Sequence, residues 1–142
     1  MINDFIYNSQ IKPLRIPTKF VNYRVFSSMT TDYIAKQGEK VFPAIRQNLD
    51  SNKYVVESLY IVDRIQEHKF ADCAQLYPSL SKYNQTKDPE IQTFLAGIYR
   101  KTQVPDAFGP LVVMLVQNAK NPPKTYFDPN EEIGGAILSY LA

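Results

Sequence analysis

The side chains able to do covalent chemistry are few, and their spacing limits what that chemistry could be. His68 is the only histidine and Cys73 the only cysteine in the chain. Thiol catalysis needs a thiolate, a base within reach and a group that orients the base. Here the two lie five positions apart across an expected turn. Cys73 falls on an apolar face, where an inert buried thiol is the ordinary outcome. His68, between Glu67 and Lys69, is expected to face solvent. A zinc site fails on ligand count, because one Cys and one His leave two tetrahedral positions for carboxylates. The five glycines are scattered apart from Gly134-Gly135, so no glycine-rich loop cradles a phosphate. Carboxylate pairs occur at Asp63 with Glu67 and at Glu131 with Glu132. Paired acids do acid–base work when burial separates their pKa values. The first pair is interleaved with Arg64 and followed by His68, and the second sits at a helix start that favours acids anyway. These residues point away from an enzyme, a bound metal or a cofactor.

Other groups suit recognition better. Tyr77 and Tyr83, with Lys82 between them, and Tyr126 and Phe127 beside Lys124 fall in connecting segments. Tyr is a frequent interface anchor. Alternating Tyr and Lys could also stack on and neutralise single-stranded nucleic acid, or the rings could fold back as lids on the ends of a core. Asp63, Glu67 and Glu131 would answer a basic partner surface. Net charge is +2 but uneven: Lys12, Arg15, Lys19 and Arg24 against Asp4 give residues 1–30 three surplus positive charges, while residues 121–142 carry two surplus negative ones. A nucleic-acid-binding arm is usually denser in cations, and a solvated edge accounts for this one as well.

Size and composition bound the rest. A chain of 142 residues suits one domain, 1–142, with its own core. Apolar residues at 44% and charged residues at 21% describe a globular chain rather than a disordered one. A single cysteine forbids an internal disulfide and fits a reducing compartment. The start, Met1-Ile2-Asn3-Asp4-Phe5, lacks the basic and apolar regions of a secretory signal. The apolar run Leu111 to Val116 is too short to cross a bilayer. The expected location is the cytoplasm, with no membrane partner.

The elements that must carry these side chains follow from periodicity. Pro13 and Pro17 interrupt any helix in residues 1–30, and Phe20 to Phe26 reads as a short strand or an extended arm. From Thr31 the period becomes helical, with Thr31 or Asp32 as cap and Ile34, Val41, Phe42, Ile45 and Leu49 on one face. Pro43 should kink or split this helix near Gly38. A second helix is expected after Asp50, through Leu59, Val62 and Ile65. A third should begin near Phe70, with Cys73, Ala74 and Tyr77 on its apolar stripe, and Pro78 should end or bend it. The fourth has Asp88 as cap, Pro89 at the first helical position and Glu90 at the positive end of the dipole. Its apolar face is Ile91, Phe94, Leu95, Ile98 and Tyr99, and Arg100 and Lys101 close it. Leu111 to Val116 is either a buried strand or a buried helix. The sixth element repeats the fourth's grammar with Asp128, Pro129, Glu131 and Glu132, and Gly134-Gly135 is expected to mark a close approach by a neighbouring helix.

Asp50, Asp88 and Asp128 are separated by 38 and 40 residues. Six helices then fall into three hairpins of about 40 residues, the period of HEAT-type arrays. Lys87-Asp88-Pro89-Glu90-Ile91-Gln92 resembles the opening of the second helix in a HEAT repeat, which typically reads Asp-Pro-Glu-Val-Arg. Gln92 stands where an Arg is usual. The resemblance covers residues 87–98 well and 31–142 loosely. It implies a protein-binding concave face and supplies no catalytic residue. A compact helical bundle is the other arrangement the spacing allows.

The expectation is a mainly α domain of three helical hairpins with an extended or short β amino-terminal arm. The expected function is non-enzymatic protein binding. Its first concrete form is a small bacterial immunity protein that neutralises a toxin enzyme by covering its active site. That form follows from the lack of a catalytic set, without a motif match. The alternative is a nucleic-acid-associated protein that uses Lys12, Arg15, Lys19, Arg24 and the Tyr/Lys loops.

Overall fold

Apolar residues at helical spacing need a partner face to bury, and the described residues supply helices for it. The computed structural model describes residues 30–123 and 128–142, and these are mainly helical, with no strand among them. The chain divides into two compact units, Met1–Ala71 and Asp72–Ala142. The expected amino-terminal arm, with Lys12, Arg15, Lys19 and Arg24, lies outside the described residues, as do Tyr126 and Phe127.

In the first unit, residues 30–35 are helical, Gly38–Val41 form a 3-10 turn, and helix α1 runs Phe42–Asp50. The expected split at Gly38 is present. Gly38 adopts φ +61, and a Cβ there would stand 3.0 Å from the Phe70 carbonyl oxygen, so only glycine fits without strain. Pro43 lies in the first turn of α1, where its missing N–H is no loss. Thr31 and Asp32 do not cap, because the chain is already helical at residue 30. Thr31 is buried instead, and Asp32 accepts a charged hydrogen bond from Arg64 Nε at 3.1 Å.

Helix α2 covers Val55–Glu67. Asp50 does not open it, since it is the last residue of α1. Beyond α1 the chain reverses through two left-handed residues, Asn52 at φ 56 and Tyr54 at φ 51, and the Lys53 N–H returns to the Asn48 carbonyl at 2.8 Å. That reversal consumes the residues an aspartate cap would have needed, and Tyr54, the residue before α2, supplies no side-chain cap. The buried set includes Ile34, Phe42, Ile45, Leu49, Leu59, Ile61, Val62 and Ile65, and Asn48 Nδ2 donates to Ser58 Oγ inside it.

The second unit opens with Asp72, whose Oδ1 accepts from the Ala74 N–H and caps a 3-10 turn, Cys73–Leu76. The short helix α3, Tyr77–Leu80, follows, then a 3-10 turn at Ser81–Tyr83. The third element thus differs from expectation in two ways. Phe70 stands outside it and is 42% exposed, and Pro78 starts α3 rather than ending a helix.

Helix α4 runs Pro89–Thr102 with the expected cap, as Asp88 Oδ1 accepts from the Glu90 and Ile91 N–H groups. Its buried face includes Leu95, Ala96, Ile98 and Tyr99, whereas Phe94 is only half-buried. A 3-10 turn at Pro105–Ala107 leads into α5, Phe108–Lys120, so Leu111 to Val116 is helix. Helix α6 covers Pro129–Leu141 and is capped by Asp128 Oδ1 on the Asn130 N–H. It packs on both α4 and α5. Gly134 marks no close approach, since a Cβ there meets nothing within 4 Å. At Gly135 a Cβ would find only the end of the Arg100 side chain, at 3.8 Å.

Candidate functional site

The second unit is tied together by two polar networks. The first is a chain of amides. Asn118 Nδ2 on α5 donates to Gln92 Oε1 on α4 at 2.8 Å and to Asn130 Oδ1 on α6 at 2.9 Å. Gln92 Nε2 donates to the Thr86 carbonyl at 2.9 Å. Gln92 and Asn118 are both buried. The neutral Gln92 amide is buried with its oxygen and nitrogen both hydrogen-bonded.

The second network is made of tyrosines. The Tyr99 hydroxyl donates to Asn84 Oδ1 at 2.6 Å, Asn84 Nδ2 donates to the Tyr77 oxygen at 3.3 Å, and Tyr77 donates to the Asp106 carbonyl at 3.0 Å. The Tyr140 hydroxyl donates to the Val104 carbonyl at 2.6 Å and stands 3.1 Å from the Tyr99 backbone carbonyl oxygen. Burial, then the neighbouring Tyr77 and Tyr140 hydroxyls, hold the Tyr99 phenol far above its ordinary range. Burial, then Tyr77, pushes Tyr140 up to about 12. These phenols stay protonated at neutral pH and serve as donors.

Tyr77 is therefore half-buried, with its hydroxyl and ring engaged inside the unit, the latter 5.6 Å from the Tyr99 ring. Tyr83 is half-buried nearby. Glu131 is exposed on α6, and Asp63 and Glu67 sit on α2 of the first unit, Glu67 exposed and Asp63 half-buried. Asp63 and Glu67 thus belong to the first unit, and Tyr77, Tyr83 and Glu131 to the second.

His68 is exposed at the carboxyl end of α2, with its ring 5.4 Å from that of Phe70. Cys73 is fully buried. Among the described residues no group of three or more His, Cys, Asp or Glu could hold a metal ion, and no helix is long and apolar enough to cross a membrane.

The feature that sequence reasoning passed over is the outer face of α5. From Phe108 to Val116 no side chain is polar, and a helix apolar all round is normally covered on every side. Leu111 and Met114 face the core, but Val112, Val113 and Val116 remain 37%, 53% and 48% exposed. Beside Val113 lies an open cleft of about 610 Å³, lined also by Lys82, Asn84, Gln85, Gly109 and Pro110. The Asn84 amide is committed to Tyr77 and Tyr99. The signal was in the chain, because an apolar run of this length cannot place all its residues on one helix face.

No family model, curated protein or solved structure matches the chain.

Proposed function

We propose that this chain is a non-enzymatic protein-binding module, and that the outer face of α5 is one of its binding surfaces. The observation that carries the reading is the exposed trio Val112, Val113 and Val116 on a helix with no polar side chain between Phe108 and Val116. Contiguous exposed apolar surface next to a concave, polar-edged cleft is the usual composition of a protein-recognition patch. The resemblance of residues 87–98 to the second helix of a HEAT hairpin supports the same class of function. Asp88 and Asp128, 40 residues apart, keep their caps in that pattern.

Within this class the reading is a small inhibitor, of the immunity-protein kind, acting in the cytoplasm. It neutralises a toxin enzyme by covering its active site. Exposed Glu67 and Glu131 would answer a basic enzyme surface. The fully buried single thiol suits a reducing compartment.

Affinity capture from cells that make the protein tests the proposal, with the wild type compared against Val112→Asp/Val116→Asp. The expected result is a stoichiometric protein partner, retained in moderate salt and lost in the variant. Retention of nucleic acid alone, released steeply by salt, would overturn it in favour of the nucleic-acid alternative.

A further inference from the structure

On α5 and the turn that opens it, one strip of residues repeats at the spacing of a helix seam. Asp106, Gly109, Val113, Val116 and Lys120 follow one another at intervals of three, four, three and four, and all five are exposed. Residues three and four apart share a helix face, and alternating intervals keep that face pointed at a partner helix. The strip is also symmetric in charge. Asp106 lies seven residues before Val113 and Lys120 seven residues after it. Among the described residues neither Asp106 nor Lys120 makes an ion pair.

We infer that the partner of this strip is a second copy of the same chain, packed on it antiparallel about a two-fold axis at Val113. A two-fold interface is self-complementary, so each contact occurs twice. Inverting the strip about Val113 sets Asp106 of one copy beside Lys120 of the other at both ends. The valines then meet in the middle. The same inversion sets the negative, carboxyl end of each α5 beside the positive, amino end of the other. The inversion sets Val116 opposite position 110, and the adjacent Gly109, where a Cβ would meet nothing within 4 Å, leaves it room to approach. The inference rests on the reading of this face as a protein-binding surface.

Sedimentation of the full chain across a range of concentrations tests it. The expected species is a dimer that dissociates on dilution. Val113→Asp should weaken dimerisation at least about tenfold, because it buries an unpaired charge at the two-fold axis. Asp106→Lys and Lys120→Asp should each weaken it by setting like charges together, and the double exchange should restore it. Circular dichroism confirms that each variant keeps its helix, and Asp106→Lys retains the backbone carbonyl that Tyr77 uses. A wild type that stays monomeric at every concentration overturns the second copy, as does a double exchange no better than the single variants. If the monomer still captures another protein through Val112 and Val116, the binding surface stands and only its occupant has been misassigned.

Discussion

Removing the middle amide of the α4–α5–α6 chain should loosen the second unit by an amount that follows from the geometry. Asn118→Ala deletes two donated hydrogen bonds, to Gln92 Oε1 at 2.8 Å and to Asn130 Oδ1 at 2.9 Å. Asn130 is half-exposed and can turn to water, and Gln92 Nε2 keeps the Thr86 carbonyl. The loss therefore concentrates on Gln92 Oε1, left without a donor on a residue only 3% exposed. An orphaned buried acceptor costs about 1–3 kcal/mol. Asn118 itself is 8% exposed, so water can enter the gap and the cost should sit near 2 kcal/mol rather than above 3. Cys73 reports the effect, because it belongs to the same unit and is fully buried. Its reaction with a thiol reagent in native buffer should be slow in the wild type and fast after unfolding. Where opening and closing outpace labelling, a loss of about 2 kcal/mol speeds the reaction roughly 30-fold. Asn118→Leu with Gln92→Leu together should cost less than the two single changes added, since neither buried amide is left facing the missing partner of the other. An Asn118→Ala variant labelled at the wild-type rate would refute the account of this network.

Other expectations follow from single sites. Asp88→Ala should cost about 0.5–2 kcal/mol through the lost cap, and Leu95→Ala, at a fully buried position, about 2–5 kcal/mol, both read from denaturant midpoints. Phe94→Ala should fall short of the 3–5 kcal/mol typical of a core Phe, because the ring is only half-buried. Gly134→Ala should raise stability by about 0.4–1 kcal/mol, as the added Cβ meets nothing and the unfolded chain loses freedom. Tyr140 holds its proton in the fold to about pH 12 and releases it near 10.0 when unfolded. Its contribution to stability is therefore complete below pH 10 and lost between 10 and about 12, so Tyr140→Phe should flatten the alkaline fall in stability over that window. The variant with Ala at both His68 and Cys73 should bind the partner as the parent does.

Helix existence was legible in the chain, and helix starts were legible where the cap is local. Asp88 and Asp128 act on amides two or three residues ahead, so spacing alone reveals them. Asp50 failed because the start of α2 is set by a left-handed reversal at Asn52 and Tyr54. Its carbonyl acceptors lie back in α1, out of reach of a pattern read forward from one aspartate. Pro78 misled for a related reason: proline ends a helix or begins one, and the choice rests on Asp72 having already opened a separate turn. Gly134-Gly135 suggested close packing, but glycine also occurs where no side chain is required. The candidate site was the least legible part. Tyr77 has the composition of an anchor, yet its hydroxyl serves Asp106 and Asn84, contacts that depend on residues 7 and 29 positions away. The α5 face escaped notice because an apolar run reads as core, and only packing shows which of its valines the core leaves outside.

The claim that the α5 face binds protein is tested most directly by a photoreactive side chain in place of Val116, irradiated in cells that make the chain. A matched substitution at exposed Gln47 on α1 serves as control. The account predicts a discrete protein adduct from position 116 that is absent from the control and weakened by Val112→Asp in the same molecule. Adducts of equal yield from both positions, or a position 116 that traps only nucleic acid, would contradict it.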